Sequence, residues 1–189
     1  MGCSKQREKR SLKPRYAVFT EGKVTEKKYL ELLSRELQVS FVIKPIGGVP
    51  SKVFKAYQKE KRRGDFDRAI LIIDVDQHPK LDEVLLECRS FTSIDAVVTN
   101  PCFELWLIWH KTDLRKYVST KECQHIANSE GITDKKNLTR TFPISDYNTA
   151  IKRAKAAWAG CEPNKIGPNP SSAMPWFIDL LTTPPKKKK

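Results

Sequence analysis

The chain has 189 residues, 39% of them hydrophobic, enough for one domain with a real core and a small appendage. Its net charge of +13 is uneven, with six Lys/Arg against one Glu in Met1–Arg15 and four lysines in Lys186–Lys189. There is no apolar run of membrane-spanning length and no signal-peptide core in Met1–Arg15, and the five cysteines (Cys3, Cys88, Cys102, Cys123, Cys161) lack CxxC spacing, so a cytosolic protein with reduced thiols is expected rather than a membrane protein, disulfide framework or zinc ribbon.

Tyr16–Thr20 is rich in β-formers and reads as a first strand, followed by a turn at Glu21-Gly22-Lys23. Thr25 is read as the N-cap of a helix through about Leu37, with Tyr29, Leu30, Leu32, Leu33 and Leu37 at helical spacing. A second strand over Phe41–Ile46 is closed by Gly47-Gly48. Ser51 then caps a helix that ends near Gly64, with Val53, Phe54 and Tyr57 as its buried side. Arg68–Asp76 reads as the third strand, and a short helix covers Pro79–Arg89. Ile94–Thr99 is a fourth strand, and Asn100-Pro101 is expected to cap and open a helix, Pro101 to His110, that is apolar nearly all round. Further helices fit Thr120–Ser129, Ser145–Ala159 and Ser171–Leu181. Strands alternating with helices predict an α/β fold, a mostly parallel sheet with helices on both faces, and a helical C-terminal part.

Five apolar residues, Ala69–Ile73, run directly into Asp74-Val75-Asp76. A continuous apolar run suits a buried strand of a parallel sheet, and sites in such sheets sit at the carboxyl ends of the strands. Asp74 and Asp76 are two apart and face the same side if the strand continues. Glu21 ends the first strand, so the three acids converge if the two strands are neighbours. Crowded carboxylates repel unless a cation neutralises them, which points to Mg2+ or Mn2+ and phosphate chemistry. The competing reading of Asp-Val-Asp is a turn whose acids satisfy local backbone groups.

Other residues bear on the same site. Glu104 is costly to bury among Phe, Leu and Trp unless it is paired, bound to metal or set against a helix N-terminus. Lys23 is placed to hold a phosphate, or is simply exposed. His78 is a candidate acid–base group or an exposed loop residue. His110 closes the apolar helix, where an imidazolium suits the dipole. Lys52, Lys55, Lys59, Lys61, Arg62 and Arg63 form a basic helix face, either solvated or tracking a nucleic-acid backbone. Trp158 and Trp176 read as core or interface anchors.

Four blocks, in order and at similar spacing, resemble the RloB-like family: Glu21-Gly22-Lys23-Val24-Thr25-Glu26, Ile73-Asp74-Val75-Asp76, Asn100-Pro101-Cys102-Phe103-Glu104-Leu105-Trp106-Leu107 and Asn169-Pro170-Ser171-Ser172. The third is the most specific. The resemblance implies a Toprim-like (topoisomerase–primase) domain, in which a Glu ends the first strand and a DxD pair ends the third. Those roles fall to Glu21, Asp74 and Asp76. It also implies a prokaryotic anti-phage setting near restriction and abortive-infection genes, and suspected nuclease activity. The expected layout is a basic tail 1–14, a Toprim-like core 15–115, a helical part 116–182 packed on it, and a basic tail 183–189.

The expectation is therefore a Mg2+- or Mn2+-dependent nuclease acting on DNA or RNA. Glu21 serves as general base or ligand, Asp74 and Asp76 as ligands, Glu104 completes the site and Lys23 contacts the phosphate. Lys52, Lys55, Lys59, Arg62 and Arg63 are the candidate nucleic-acid contacts. The rival expectation is a non-catalytic binding subunit of a defence complex, partnered for example by an ATPase. Phosphoryl transfer on a small nucleotide is a third, although the chain has no GxxxxGK[ST] loop.

Overall fold

The computed structural model describes residues 14–75, 78, 80–134 and 137–183. β1 (Tyr16–Thr20), β2 (Val42–Pro45), β3 (Arg68–Asp74) and β4 (Ile94–Asn100) are all parallel, and β7 (Ser171–Ser172) adds an antiparallel fifth strand, giving the order β2-β1-β3-β4-β7. The α-helices are α1 (Thr25–Glu36), α2 (Pro50–Lys61), α3 (Leu81–Arg89), α4 (Phe103–Ile108), α5 (Thr120–Ser129), α6 (Tyr147–Ala157) and α7 (Met174–Thr182). A two-stranded ribbon, β5 (Thr133–Asp134) and β6 (Asn137–Leu138), follows α5. No helix among the described residues is long and apolar enough to cross a membrane.

The alternation of strand side chains builds two apolar layers. Ala17, Phe19, Ala69, Leu71, Ile73, Ala96 and Val98 pack with α2 and α3 on one face of the sheet. Val18, Ile70, Ile72 and Val97 pack on the other with residues of α1, α4, α5, α6 and α7. Burial on both faces explains why β3 is apolar at every position from Ala69 to Ile73. Trp106 and Trp109 of α4 are fully buried, as the all-round apolar pattern of that helix requires.

Several boundaries differ from the sequence reading. Thr25 is the first residue of α1 and the cap position is Val24, so Thr25 is not the cap. Likewise Val49 occupies the cap position of α2, with Pro50 rather than Ser51 opening the helix. Asn100 does not cap α4. It is the last residue of β4, its bond to Pro101 is cis, and α4 begins only after Cys102. The expected helix 145–159 is a 3-10 turn (Ile144–Asp146) followed by a shorter α6. The expected helix from Ser171 is split: Ser171 and Ser172 pair with Asn100 and Thr99, and α7 starts at Met174. The part 116–182 is thus not helical throughout, and it carries a strand into the central sheet. β3 ends at Asp74 and Val75 is already outside the strand, short of the expected Asp76; the expected helix from Pro79 begins only at Leu81, with Lys80 in the cap position, while Asp76 and Pro79 themselves lie outside the described residues.

The loop before β7 is pinned to β4 by Asn164. Its backbone N–H donates to Ala96 O at 2.8 Å, its side-chain Oδ1 accepts the Ala96 N–H at 2.6 Å, and its Nδ2 donates to Asp95 at 3.0 Å. Asp95 also receives Arg68, with Nε–Oδ2 at 2.8 Å. Asn164 has φ +60°, a left-handed conformation that asparagine tolerates better than alanine. Asn164→Ala should strand the buried Ala96 N–H and add backbone strain, lowering stability by about 2–4 kcal/mol in urea denaturation; a change below about 0.5 kcal/mol would show that the pin carries no weight.

Candidate functional site

β1 and β3 are neighbours, so their carboxyl ends meet. The Glu21 N–H continues the ladder to Ile72 O at 3.1 Å. Its carboxylate then reaches across the end of β3: Oε2 accepts the Asp74 N–H at 3.2 Å, and Oε1 lies 2.8 Å from His78 Nε2. The side chains of Glu21 and His78 are 14% and 20% exposed, so this contact is sheltered, and it is an ion pair when His78 is protonated. Asp74 continues the alternation of Ile70 and Ile72 toward the α1 and α4 face. The expected meeting of Glu21 with Asp74 is therefore present. Asp76, the third expected acid, lies outside the described residues.

Two more acids enter from the helices. Glu26, in the first turn of α1, is buried at 8% exposure. Its carboxyl is pushed up to about 7, mainly by burial, with Glu104 and Glu21 adding repulsion; backbone N–H bonds from Glu26 itself and from Gly22 oppose the rise. The notch that holds this carboxyl exists because residue 22 is glycine: a Cβ there would collide with the Glu26 carboxylate. Glu104 stands in the first turn of α4, half-buried, within electrostatic reach of Glu26. The Cys102 thiol is raised by its contact with Cys123, by burial, and then by Glu104 and Asp74, so both acids lie within electrostatic reach of that thiol. Sequence reasoning singled out Glu104 and passed over Glu26. The signal was available, since Glu26 heads the spacing 26, 29, 30, 33 that forms the buried face of α1.

Cations border the acids. The Gly47-Gly48 loop, with φ +76° and +106°, folds back so that the Gly48 N–H donates to Glu21 O at 3.2 Å. Lys23 is exposed, and its stem lies where a Cβ on Gly47 would be; Lys52 lies over Gly48 in the same way, 3.3 Å from its would-be Cβ. Lys52, Lys55 and Lys59 of α2, and Arg62 and Arg63 in the turn that follows it, are all exposed. Arg63 is engaged with Glu60 at 3.0 Å, and Glu60 also binds Lys44 at 3.0 Å. The imidazolium expected at His110 is not supported. That residue is 2% exposed, burial lowers its pKa to about 4, and its Nδ1 donates to Trp106 O at 3.1 Å, so it is a neutral core group. Trp176 is half-buried beneath the Arg68 guanidinium.

The Asn-Pro blocks meet here too. Both Asn100-Pro101 and Asn169-Pro170 are cis, and Asn100 pairs with Ser171 beside the Asp74–Thr99 pair. The Thr99 and Ser172 hydroxyls are bonded at 2.9 Å, and the Asn169 side chain clamps the backbone of Val118 at both its N–H and its C=O. The four sequence blocks, remote along the chain, thus border one rim of the sheet.

Among the described residues no three His, Cys, Asp or Glu are gathered closely enough to hold a metal ion together. The chemistry of the donor set nevertheless fits a hard cation: carboxylates of Glu21, Asp74, Glu26 and Glu104 gather at one rim, and one of them is driven toward neutrality by burial and by its acidic neighbours. A mostly parallel α/β sheet with acids at its carboxyl rim is the class of protein the structure defines. The family description "RloB-like protein" matches residues 16–181, and the chain belongs to the RloB-like family. No curated protein and no solved structure matches it.

Glu26 generates a pH test. Its ordinary pKa of 4.5 rises to about 7 in the fold, so the native chain holds this proton more tightly than the unfolded chain. That contribution is complete below pH 4.5 and is lost as pH rises through 7. Relative to Glu26→Gln, wild type should therefore lose on the order of 3 kcal/mol between pH 5 and pH 8 in urea denaturation. A pH-independent difference between the two proteins would show that Glu26 is not held as a buried acid.

Proposed function

We propose that this protein is a divalent-metal-dependent phosphodiesterase acting on nucleic acid, within prokaryotic defence against phage. The observation that carries the reading is the contact between the Glu21 carboxylate and the Asp74 N–H at the carboxyl rim of a parallel sheet, with Glu26 and Glu104 crowding the same edge. Family membership supports it, because the matched segment contains every one of these residues.

Glu21, Asp74 and Asp76 are the residues that would hold Mg2+ or Mn2+. When bound, the ion polarises the phosphoryl oxygen and favours ionisation of a bound water. The chain's own groups do the rest. Glu21 serves as ligand or as general base, with His78 fixing its Oε1 and Asp74 N–H its Oε2, so the carboxylate is oriented before substrate arrives. Glu104 raises the negative potential that recruits the cation, and Glu26 adds to it as pH rises through about 7. Lys23 and Lys52, on either side of Gly47-Gly48, hold the phosphodiester as point charges.

A second reading has its own observation. The His78–Glu21 contact can neutralise that carboxylate without any ion, which suits a binding subunit of a larger defence assembly, such as one built around an ATPase. One experiment separates the two. Incubation with plasmid, single-stranded DNA and tRNA in Mg2+ or Mn2+ should give cleavage that EDTA abolishes. Asp74→Asn and Glu21→Gln should each lower the rate at least about 100-fold while leaving the thermal melt within a few degrees of wild type. Lys23→Ala should cost roughly tenfold. Binding without turnover, indifferent to EDTA, would decide for the second reading.

A further inference from the structure

We infer that the solvent face of α2, together with the loop after α3, is a binding track for single-stranded nucleic acid, with Phe91 as a base-stacking platform at its far end. The inference rests on the phosphodiesterase reading for the direction of the track, and names the form of the substrate.

α2 runs away from the acidic rim. Its first turn carries Lys52, folded over Gly48, whose N–H is bonded to Glu21 O. From there Lys55, Lys59 and Arg62 follow at spacings of three, four and three, so they form one stripe on one helical face. The twelve residues of α2 span about 18 Å. Lys52, Lys55 and Lys59 form no ion pair among the described residues, and Glu60, the acid in the helix, is already neutralised by Lys44 and Arg63. The stripe therefore presents unbalanced positive charge to solvent, which complements a polyanion backbone.

At the end of the stripe the chemistry changes. Tyr57, Gln58, Lys61, Arg62 and Phe91 line a shallow surface cavity of about 450 Å³. Phe91 is 41% exposed, although the loop that carries it leads into the buried strand β4. The Lys61 ammonium lies 4.6 Å from its ring centroid and 5.7 Å from that of Tyr57, so a cation on a long flexible stem rests over the ring. Such a face takes an unstacked base while the lysine moves to the neighbouring phosphate. A duplex keeps its bases stacked inside and offers nothing to Phe91. Cationic stripe and aromatic platform together are the pattern of single-strand recognition.

The test is fluorescence anisotropy with labelled oligo-dT, oligo-U and a duplex of equal length. EDTA is present throughout, so no cleavage is needed for the readout. The single strands should bind at least tenfold tighter than the duplex. Phe91→Leu, which keeps apolar bulk but removes the ring, should weaken single-strand binding about tenfold and leave the salt dependence unchanged; Phe91→Trp should preserve affinity. The pair Lys55→Ala and Lys59→Ala should flatten the salt slope by about 0.7 for each phosphate that a lysine no longer neutralises. Equal or tighter duplex binding, or an unchanged Phe91→Leu affinity in a protein with a wild-type melt, overturns the track. Single-strand binding that follows this pattern, with no cleavage after Mg2+ or Mn2+ is restored, leaves the track standing and removes the phosphodiesterase.

Discussion

The in-register parallel pairing of β1 with β3 is the constraint from which the site follows. Tyr16 pairs with Arg68 and Thr20 with Ile72, so the residue after β1 arrives beside the last residues of β3. A slip of one position would turn the alternating residues of β1 to the wrong layers, moving Val18 away from the α1 side and Phe19 away from the α2 side. The same slip would carry the Glu21 carboxylate off the Asp74 N–H. The apolar core therefore enforces the geometry of the acids.

Gathering acids at one edge is costly, and the fold offsets the cost locally. Backbone N–H groups of Asp74 and Gly22 turn toward the carboxyl groups of Glu21 and Glu26. Glu26 also stands in the first turn of α1, where the helix dipole favours negative charge. His78 covers the remaining oxygen of Glu21. These contacts do not remove the repulsion, because Glu26 is still driven to about 7 with burial as the largest cause. A buried acid whose pKa stands near 7 responds strongly to any cation that arrives, since added positive charge lowers its pKa again. Gly22 belongs to this device through what it lacks: without a Cβ, it leaves the volume that the Glu26 carboxyl fills.

The sequence made the site legible where burial imposes a pattern. The unbroken apolar run of β3 announced a strand covered on both faces, and the acids at its end announced the rim. The amphipathic pattern of α2 separated Val53, Phe54 and Tyr57 from the lysines, as the structure does. Legibility failed where a local signal served a longer-range purpose. Asn100-Pro101 carries the chemistry of a helix start, yet its neighbours Ser171 and Ser172 hold it as the end of β4. Those two residues form a strand too short for any periodicity to reveal. Asn164 has no visible partner in sequence, because the partner is the backbone of Ala96, 68 residues away. Glu26 shares the spacing of the buried face of α1, but a charged residue near a helix start usually faces water, and that expectation masks the signal.

The separation of charge across the sheet bears on how such a site could work. Asp74, Glu26 and Glu104 belong to the α1 and α4 side, whereas the basic stripe belongs to α2 on the opposite side. Glu21 and Gly48 stand at the end of β1, where the two sides meet. Had the lysines of α2 been set among the acids, they would have paired with them and cancelled both fields. Held apart by the thickness of the sheet, the acids keep their attraction for a cation and the lysines theirs for a phosphate. Acids and lysines approach each other at the Glu21 rim, where Lys23 lies against Gly47 and Lys52 against Gly48. Under the proposed phosphodiesterase reading, a phosphodiester that follows the positive side to its end would reach the edge where the negative side begins, so position, rather than any single residue, would select the bond attacked.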